Sequence, residues 1–167
     1  MNIKIVSQIV SGLLLLIVQA LVLNNIHLFG FATPLLYVYM VVNTCRNMPQ
    51  WVSLILAFLL GLCIDVFSNT PGVATCSLTL LAFVQPYLLT IFLPRDSADD
   101  FQPSIFTLGV AKYIYYAATL TLVYCIVFYT LEMFSFFNWI LWLECVGGST
   151  LITLFILLVI DNIRGKR

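Results

Sequence analysis

The chain has 167 residues, of which 62% are hydrophobic and 8% charged, and its mean hydropathy is +1.09. A soluble domain is about 45–50% apolar and about 25% charged, and a chain of this size buries at most about 70% of its surface on folding. These proportions exclude a water-soluble globular protein and indicate an integral membrane protein built of apolar helices. The net charge is zero, which argues against a nucleic-acid-binding surface.

Charged residues are so sparse that the gaps between them outline the predicted helices. No charged residue lies between Ile5 and Cys45, and at about 20 residues per bilayer crossing this stretch holds two spans. Lys4 precedes an apolar run, as in a signal peptide, but no A-x-A-like cleavage site follows, so we expect a retained helix. In chain order the predicted spans cover about 4–23, 31–45, 51–67, 73–93, 104–131 and 136–161.

The connections between these runs are short, roughly ten residues or fewer, which is usual for neighbouring helices. Continuous Leu-rich runs also argue against the alternating pattern of a β-barrel. We therefore predict an all-α integral membrane protein in which residues 1–167 form a single transmembrane domain, a six-helix bundle.

The basic residues determine the predicted orientation. With six spans both termini lie on one side of the membrane, and a cytoplasmic placement satisfies the positive-inside rule. It puts six of the seven basic residues inside: Lys4, Arg46, Arg95, Arg164, Lys166 and Arg167. We expect the acidic loop 94–103 to be cytoplasmic and the turn 68–72 to face the exterior.

A polar motif closes the third predicted span and leads into the fourth. Its residues are Gly61, Asp65, Ser68, Pro71 and Gly72. Gly61 and Asp65 are four residues apart and share a helix face, and glycine permits close approach of a neighbouring helix. We expect Asp65 to accept hydrogen bonds from the following turn, with Ser68, Asn69 and the start of the next span as donors, which would anchor the hairpin. A direct contact to a ligand or partner, or a catalytic role, stays open at this point.

Two further ionisable residues lie inside predicted spans, where charge is costly and usually functional. Lys112 and Glu144 fall on consecutive antiparallel helices. Lys112 lies about eight residues from the cytoplasmic end of its predicted span and Glu144 about eight residues from the outer end of the next. Their Cα atoms would then differ in membrane depth by about 6 Å. We expect a structural ion pair between them. The alternatives are that Lys112 extends to the cytoplasmic headgroups, or that the pair relays protons or substrate.

The last span contains a patch of small residues, Gly147, Gly148 and Ser149, which suits tight helix packing within the bundle or against another protein. The five cysteines form no C-x-x-C pair, and His27 is the sole histidine. We therefore expect no metal site, no cofactor and no catalytic residue. Walker, H-E-x-x-H and G-x-S-x-G motifs are also missing.

The chain length, the six spans, the small loops and the G-x-x-x-D-x-x-S-x-x-P-G hairpin from Gly61 to Gly72 resemble the MreD family of bacterial rod shape-determining proteins. The resemblance implies a multi-pass protein of the bacterial inner membrane, a non-enzymatic scaffold of the cell-elongation machinery that synthesises peptidoglycan. Its implied partners are the bitopic protein MreC and, through the assembly, MreB, RodA and a penicillin-binding transpeptidase. The family's fold is similar to the substrate-binding subunits of energy-coupling-factor transporters.

Two rival functions follow from the same residues. A small-molecule binding subunit of a vitamin-type transporter would need a polar pocket that opens outward, and the predicted outer loops are short. An intramembrane aspartyl peptidase would need two carboxylates close together. Asp65 and Asp161 fall near opposite membrane faces, and Glu144 has Lys112 as its expected partner, so we expect no enzymatic activity.

Overall fold

A computed structural model of the chain describes residues 12, 15, 17, 19, 34–46, 48–93, 101–133 and 139–164. The described residues form helices joined by turns, and they contain no strand. In chain order the helices are α1 Val38–Val42, α2 Gln50–Ser68, α3 Val73–Phe92, α4 Ile105–Leu108, α5 Val110–Met133 and α6 Trp139–Arg164.

Four of these helices, α2, α3, α5 and α6, are long and apolar enough to cross a membrane. They have 19, 20, 24 and 26 residues, and a rise of 1.5 Å per residue makes each about 30 Å long or longer. The prediction of an all-helical chain is confirmed for the described residues, and these four helices are what suggests a membrane protein. The predicted span 4–23 lies almost wholly outside the described residues, so the count of six spans and the cytoplasmic termini stay predictions.

The four long helices pack as two antiparallel hairpins, α2 with α3 and α5 with α6, and α3 packs against α5. Leu78 and Leu81 of α3 and Leu120 and Tyr124 of α5 are fully buried where the hairpins meet. Phe92 at the end of α3 makes an edge contact with a tyrosine in the first half of α5. The α2–α3 turn therefore marks one end of the bundle, the Asp65 end. The start of α2, the end of α3 and the start of α5 mark the other, the Arg46 end.

The segment 34–44 lies in the middle of the bundle, and every one of its residues is buried. Of the predicted span 31–45, only Val38–Val42 is α-helical among the described residues. Non-helical backbone at membrane depth needs hydrogen-bond partners from the protein, because lipid supplies none. Such a segment is as apolar as a lipid-exposed span, so hydropathy could not distinguish the two.

Side chains from other parts of the chain supply those partners before α1. The Gln19 amide donates to the carbonyl of Pro34 at 2.9 Å, and its oxygen accepts from the Leu36 N–H at 3.0 Å. The N–H of Leu35 donates to the Thr153 hydroxyl on α6 at 3.2 Å. The start of the buried segment is thus hydrogen-bonded to α6 as well as to Gln19.

Side chains of α3 and α5 likewise form hydrogen bonds with the backbone at the end of α1 and just after it. The Tyr116 hydroxyl of α5 donates to the carbonyl of Val42 at 3.1 Å. The Gln85 amide of α3 donates to Tyr116 at 3.0 Å and to the carbonyl of Thr44 at 3.4 Å. These bonds connect the buried segment to both hairpins, which fixes its position in the bundle.

The predicted span 104–131 is two helices, because the backbone breaks at Gly109. Gly109 has a φ of 83°, a conformation that residues with a side chain rarely adopt. Ser104 caps α4 by accepting from the Thr107 N–H, and the Thr107 hydroxyl accepts from the Ser104 N–H. The long helix α5 therefore begins only at Val110, which moves Lys112 into its first turn.

Candidate functional site

The carboxylate of Asp65 caps the start of α3. Its Oδ1 accepts from the N–H of Ala74 at 2.9 Å, and its Oδ2 accepts from the N–H of Thr75 at 2.9 Å. These are unpaired amides of the first helical turn, which a side chain at the N-cap position normally satisfies. The N-cap residue here is Gly72, which has no side chain, so Asp65 of the preceding helix supplies the oxygens instead.

Two hydroxyls complete the bonding of this carboxylate. Thr70 donates to Oδ1 at 3.2 Å, and Thr75 donates to Oδ2 at 2.5 Å. Together with the two amides they use the roughly four lone-pair sites of a carboxylate, and Asp65 is only 5% exposed. The contacts of this group therefore lie within the hairpin. Thr70 and Thr75 are donors that the sequence pattern did not single out.

Gly61 lies where α2 and α3 come closest. A Cβ at this position would overlap the Cα of Thr75 and would lie 2.8 Å from its nitrogen. Only a glycine lets the backbone of α2 reach the start of α3. The close approach brings Asp65, one turn later on the same face, within hydrogen-bonding distance of the α3 amides.

The turn between the two helices uses the remaining motif residues. Asn69 ends α2 in the left-handed conformation, with a φ of 56°, and its N–H donates to the carbonyl of Asp65. Gly72 has a φ of 85°, so a side chain there would be strained. Ser68 is the last residue of α2 and half-buried, and Pro71 is exposed on the turn.

A second buried carboxylate, Asp161, acts in the same way at the Arg46 end. Its Oδ2 accepts from the N–H of Ile105, the first residue of α4, at 2.6 Å, and the Tyr39 hydroxyl donates to its Oδ1 at 3.4 Å. Asp161 is 2% exposed and lies at the far end of the bundle from Asp65. A catalytic pair of carboxylates would lie close together. These two aspartates lie at opposite ends of the bundle.

The structure does not bring Lys112 and Glu144 together. Both side chains are exposed, and the hydroxyls of Tyr129 and Ser149, 2.5 Å apart, give the antiparallel register of α5 and α6. Counted from that pair, Lys112 and Glu144 lie about 30 Å apart along the bundle axis. The expected ion pair does not form. Lys112 lies in the first turn of α5, because that helix begins at Val110, and Glu144 lies near the opposite end of the bundle.

We expect replacements of these two residues to act independently. In the purified protein, Lys112→Gln and Glu144→Gln should each change the free energy of unfolding by about 0.5 kcal/mol or less. The double variant should equal the sum of the two within about 0.5 kcal/mol. A double-mutant cycle with a coupling above about 1 kcal/mol would contradict the separation.

The small-residue patch on α6 divides between two faces. Ser149 is fully buried and shares a hydrogen bond with Tyr129, and Gly148 is half-buried. Gly147 is exposed, and a Cβ built there would meet no atom within 4 Å. Within the described residues the bundle therefore makes no packing demand for a glycine at position 147.

Tyrosines supply much of the polar bonding inside the bundle, a role that hydropathy does not predict. The hydroxyls of Tyr37 and Tyr124 lie 2.6 Å apart, and their rings meet edge to face. Tyr124 also stacks on Phe128. The buried tyrosines of α5 are Tyr113, Tyr116, Tyr124 and Tyr129. Their concentration in one apolar span is the signal that could have indicated this role.

Among the residues that the structure describes, no group of three His, Cys, Asp or Glu side chains could hold a metal ion. Comparison of the chain with protein families, with curated proteins and with solved structures finds no match. Over the part of the chain that the structure describes, the protein is helical and has four helices long and apolar enough to span a membrane.

Proposed function

We propose that this protein is a non-enzymatic membrane scaffold that docks the transmembrane helices of partner proteins. The observation that carries the proposal is Gly147, which lies on the exposed face of α6. A glycine inside a helix costs about 1 kcal/mol relative to alanine. No described atom of the bundle contacts this position, and a glycine on an exposed face of a membrane-length helix permits close approach of a second helix.

The residues around Gly147 have the form of a docking surface. Leu143, Leu151 and Phe155 are spaced at four-residue intervals from it on α6, and they are 65%, 71% and 69% exposed. We call Leu143, Gly147, Leu151 and Phe155 the notch face. The glycine forms a gap between large apolar side chains, which is the shape that a ridge on a partner helix fills.

Glu144 adds a polar group beside this surface. It lies three residues before Gly147, so it shares that side of α6, and it is exposed within an apolar helix. Ionisable side chains within membrane spans normally pair or face a polar interior. A hydrogen-bond donor or a basic side chain on the docked helix would satisfy this carboxylate.

The resemblance to the MreD family supplies the cellular setting of the proposal. In that setting the docked helix belongs to an MreC-like bitopic protein, and the assembly connects to MreB, RodA and a penicillin-binding transpeptidase in the bacterial inner membrane. The hairpin residues that carry the resemblance hold α2 and α3 together, and the notch face lies on a different helix, α6.

Affinity purification from membranes tests the scaffold proposal. We expect the wild-type protein to retain an MreC-like partner and Gly147→Leu to reduce the retained amount about tenfold, equivalent to about 1.4 kcal/mol. The protein level should not fall, since the added side chain meets open space. Leu122→Phe, which adds bulk at an exposed position of α5, is the control and should retain the partner.

Depletion in a rod-shaped bacterium gives the cellular outcome, in which the cells should become round. Normal cell shape after deletion, together with tight binding of a vitamin by the purified protein, would contradict the scaffold. That result would instead assign the chain to the transporter-subunit class.

A further inference from the structure

A groove opens at the Arg46 end of the bundle between the start of α2 and the second half of α3. It encloses about 470 Å³, its open mouth included. A molecule of liquid water takes up about 30 Å³, so the groove has room for several water molecules. We call it the Gln85 groove, and its lining includes Ser53, Ala82, Gln85, Pro86, Leu89 and Thr90.

The buried side chain of Gln85 offers one polar atom to this groove. Its nitrogen donates to the Tyr116 hydroxyl and to the carbonyl of Thr44. Because the Tyr116 hydroxyl donates to the carbonyl of Val42, both contacts require the nitrogen of Gln85, and the amide oxygen lies on the other side. Among the described residues no group donates to this oxygen, and protein atoms do not enclose it. Gln85 is 4% exposed, so the donor for its oxygen has to come from the groove.

Pro86 frees a backbone acceptor in the same wall. Proline has no N–H, so the carbonyl of Ala82, one turn earlier in α3, loses its helical donor. No side chain in the described part of the protein donates to this carbonyl, and lipid offers no donor to an unpaired carbonyl at membrane depth. Ala82 and Pro86 both line the groove. The kink therefore adds a second acceptor beside Gln85.

Ser53 lies across the groove on α2. It is half-buried, and its hydroxyl makes no hydrogen bond to any residue that the structure describes. A hydroxyl can donate one hydrogen bond and accept two, so it complements the two acceptors of α3. The groove thus offers the two to four polar partners that an ordered water molecule needs.

We propose that the Gln85 groove holds ordered water that bridges α2 and α3 within the bundle. The water donates to the Gln85 oxygen and to the carbonyl of Ala82, and it bonds to the hydroxyl of Ser53. Asp65 joins the same two helices directly at their other end. The hairpin is therefore held by protein atoms at the Asp65 end and by exchangeable solvent at the Arg46 end.

X-ray hydroxyl-radical labelling of the full-length chain in lipid nanodiscs tests this site, because the radicals arise from water beside the side chain that they oxidise. Mass spectrometry of peptides gives the rate at each residue. Leu89 lines the groove and should be oxidised several times faster than Leu81, although the two are 2% and 0% exposed. Ile91 is 73% exposed and nearer the end of α3. It should also react more slowly than Leu89, because lipid covers it.

Ser53→Leu fills the groove from the α2 side without changing the charge, and it should lower the Leu89 rate to that of Leu81. Thr119→Leu adds bulk at an exposed position of α5, outside the groove, and it should keep the wild-type rate. Pro86→Ala returns an N–H to the carbonyl of Ala82, which removes one water partner. It should slow the labelling of Leu89 in part, and it keeps the proposal testable if Ser53→Leu does not fold.

Two results in the wild-type protein would overturn the proposal. A Leu89 rate as low as that of Leu81 would show a dry groove, filled by lipid or closed. A Leu89 rate no higher than that of Ile91 would show that the labelling comes from water at the membrane surface alone.

Discussion

Asp65→Leu should lower both the amount of folded protein in the membrane and its free energy of unfolding, the latter by about 3 kcal/mol. The substitution leaves the amides of Ala74 and Thr75 buried without an acceptor, and each such group costs about 1–3 kcal/mol. Asp65→Asn retains one carbonyl oxygen, so its loss should be about half as large. Denaturant unfolding of the purified variants, followed by their helical signal, measures both values.

Glu144→Leu is the matched control, because it removes an exposed carboxylate from a membrane helix and breaks no described hydrogen bond. It should leave the free energy of unfolding of the isolated protein unchanged within about 0.5 kcal/mol. If Asp65→Leu were as stable as wild type while the protein lost its function, Asp65 would be a partner contact and the hairpin anchor would be refuted.

Gly61→Ala and Gly147→Ala should change stability in opposite directions, although the chemical change is identical. At Gly61 the new methyl group overlaps the backbone of Thr75, so α2 and α3 must separate, and overpacking of this kind costs about 1–3 kcal/mol or more. At Gly147 it meets open space, and the helix propensity of alanine should stabilise the isolated protein by up to about 1 kcal/mol.

The same unfolding measurement checks this pair. The Gly61 variant should also weaken the Asp65 cap, since its hydrogen bonds depend on the close approach of the two helices. A Gly61→Ala protein as stable as Gly147→Ala would show that the hairpin does not need the glycine, and the steric argument would fail.

Hydropathy predicted the four long helices well because crossing a membrane requires a long apolar run. The bounds predicted for α2, 51–67, and for α3, 73–93, differ by one residue from the observed Gln50–Ser68 and Val73–Phe92. Turn formers and Gly72 mark the hairpin locally, and the partners of Asp65 lie within ten residues of it. A local pattern was therefore enough to find this anchor.

The features that hydropathy did not predict depend on contacts between distant parts of the chain. The segment 34–44 has the composition of a span, but its backbone is hydrogen-bonded by residues as far away as Thr153. Asp161 caps a helix that begins 56 residues earlier in the chain. The predicted depth of Lys112 is too great because hydropathy does not detect the helix break at Gly109, which lies within a continuous apolar run.

Photo-crosslinking from position 147 tests the central claim, that the notch face docks another protein's transmembrane helix. A photoreactive amino acid at this position in the full-length chain, expressed in its own membrane, should give one dominant adduct with a single-span protein. The same amino acid at Leu122, also exposed, should give lipid adducts only. Lipid adducts alone from position 147, or the same protein adduct from both positions, would contradict the docking surface.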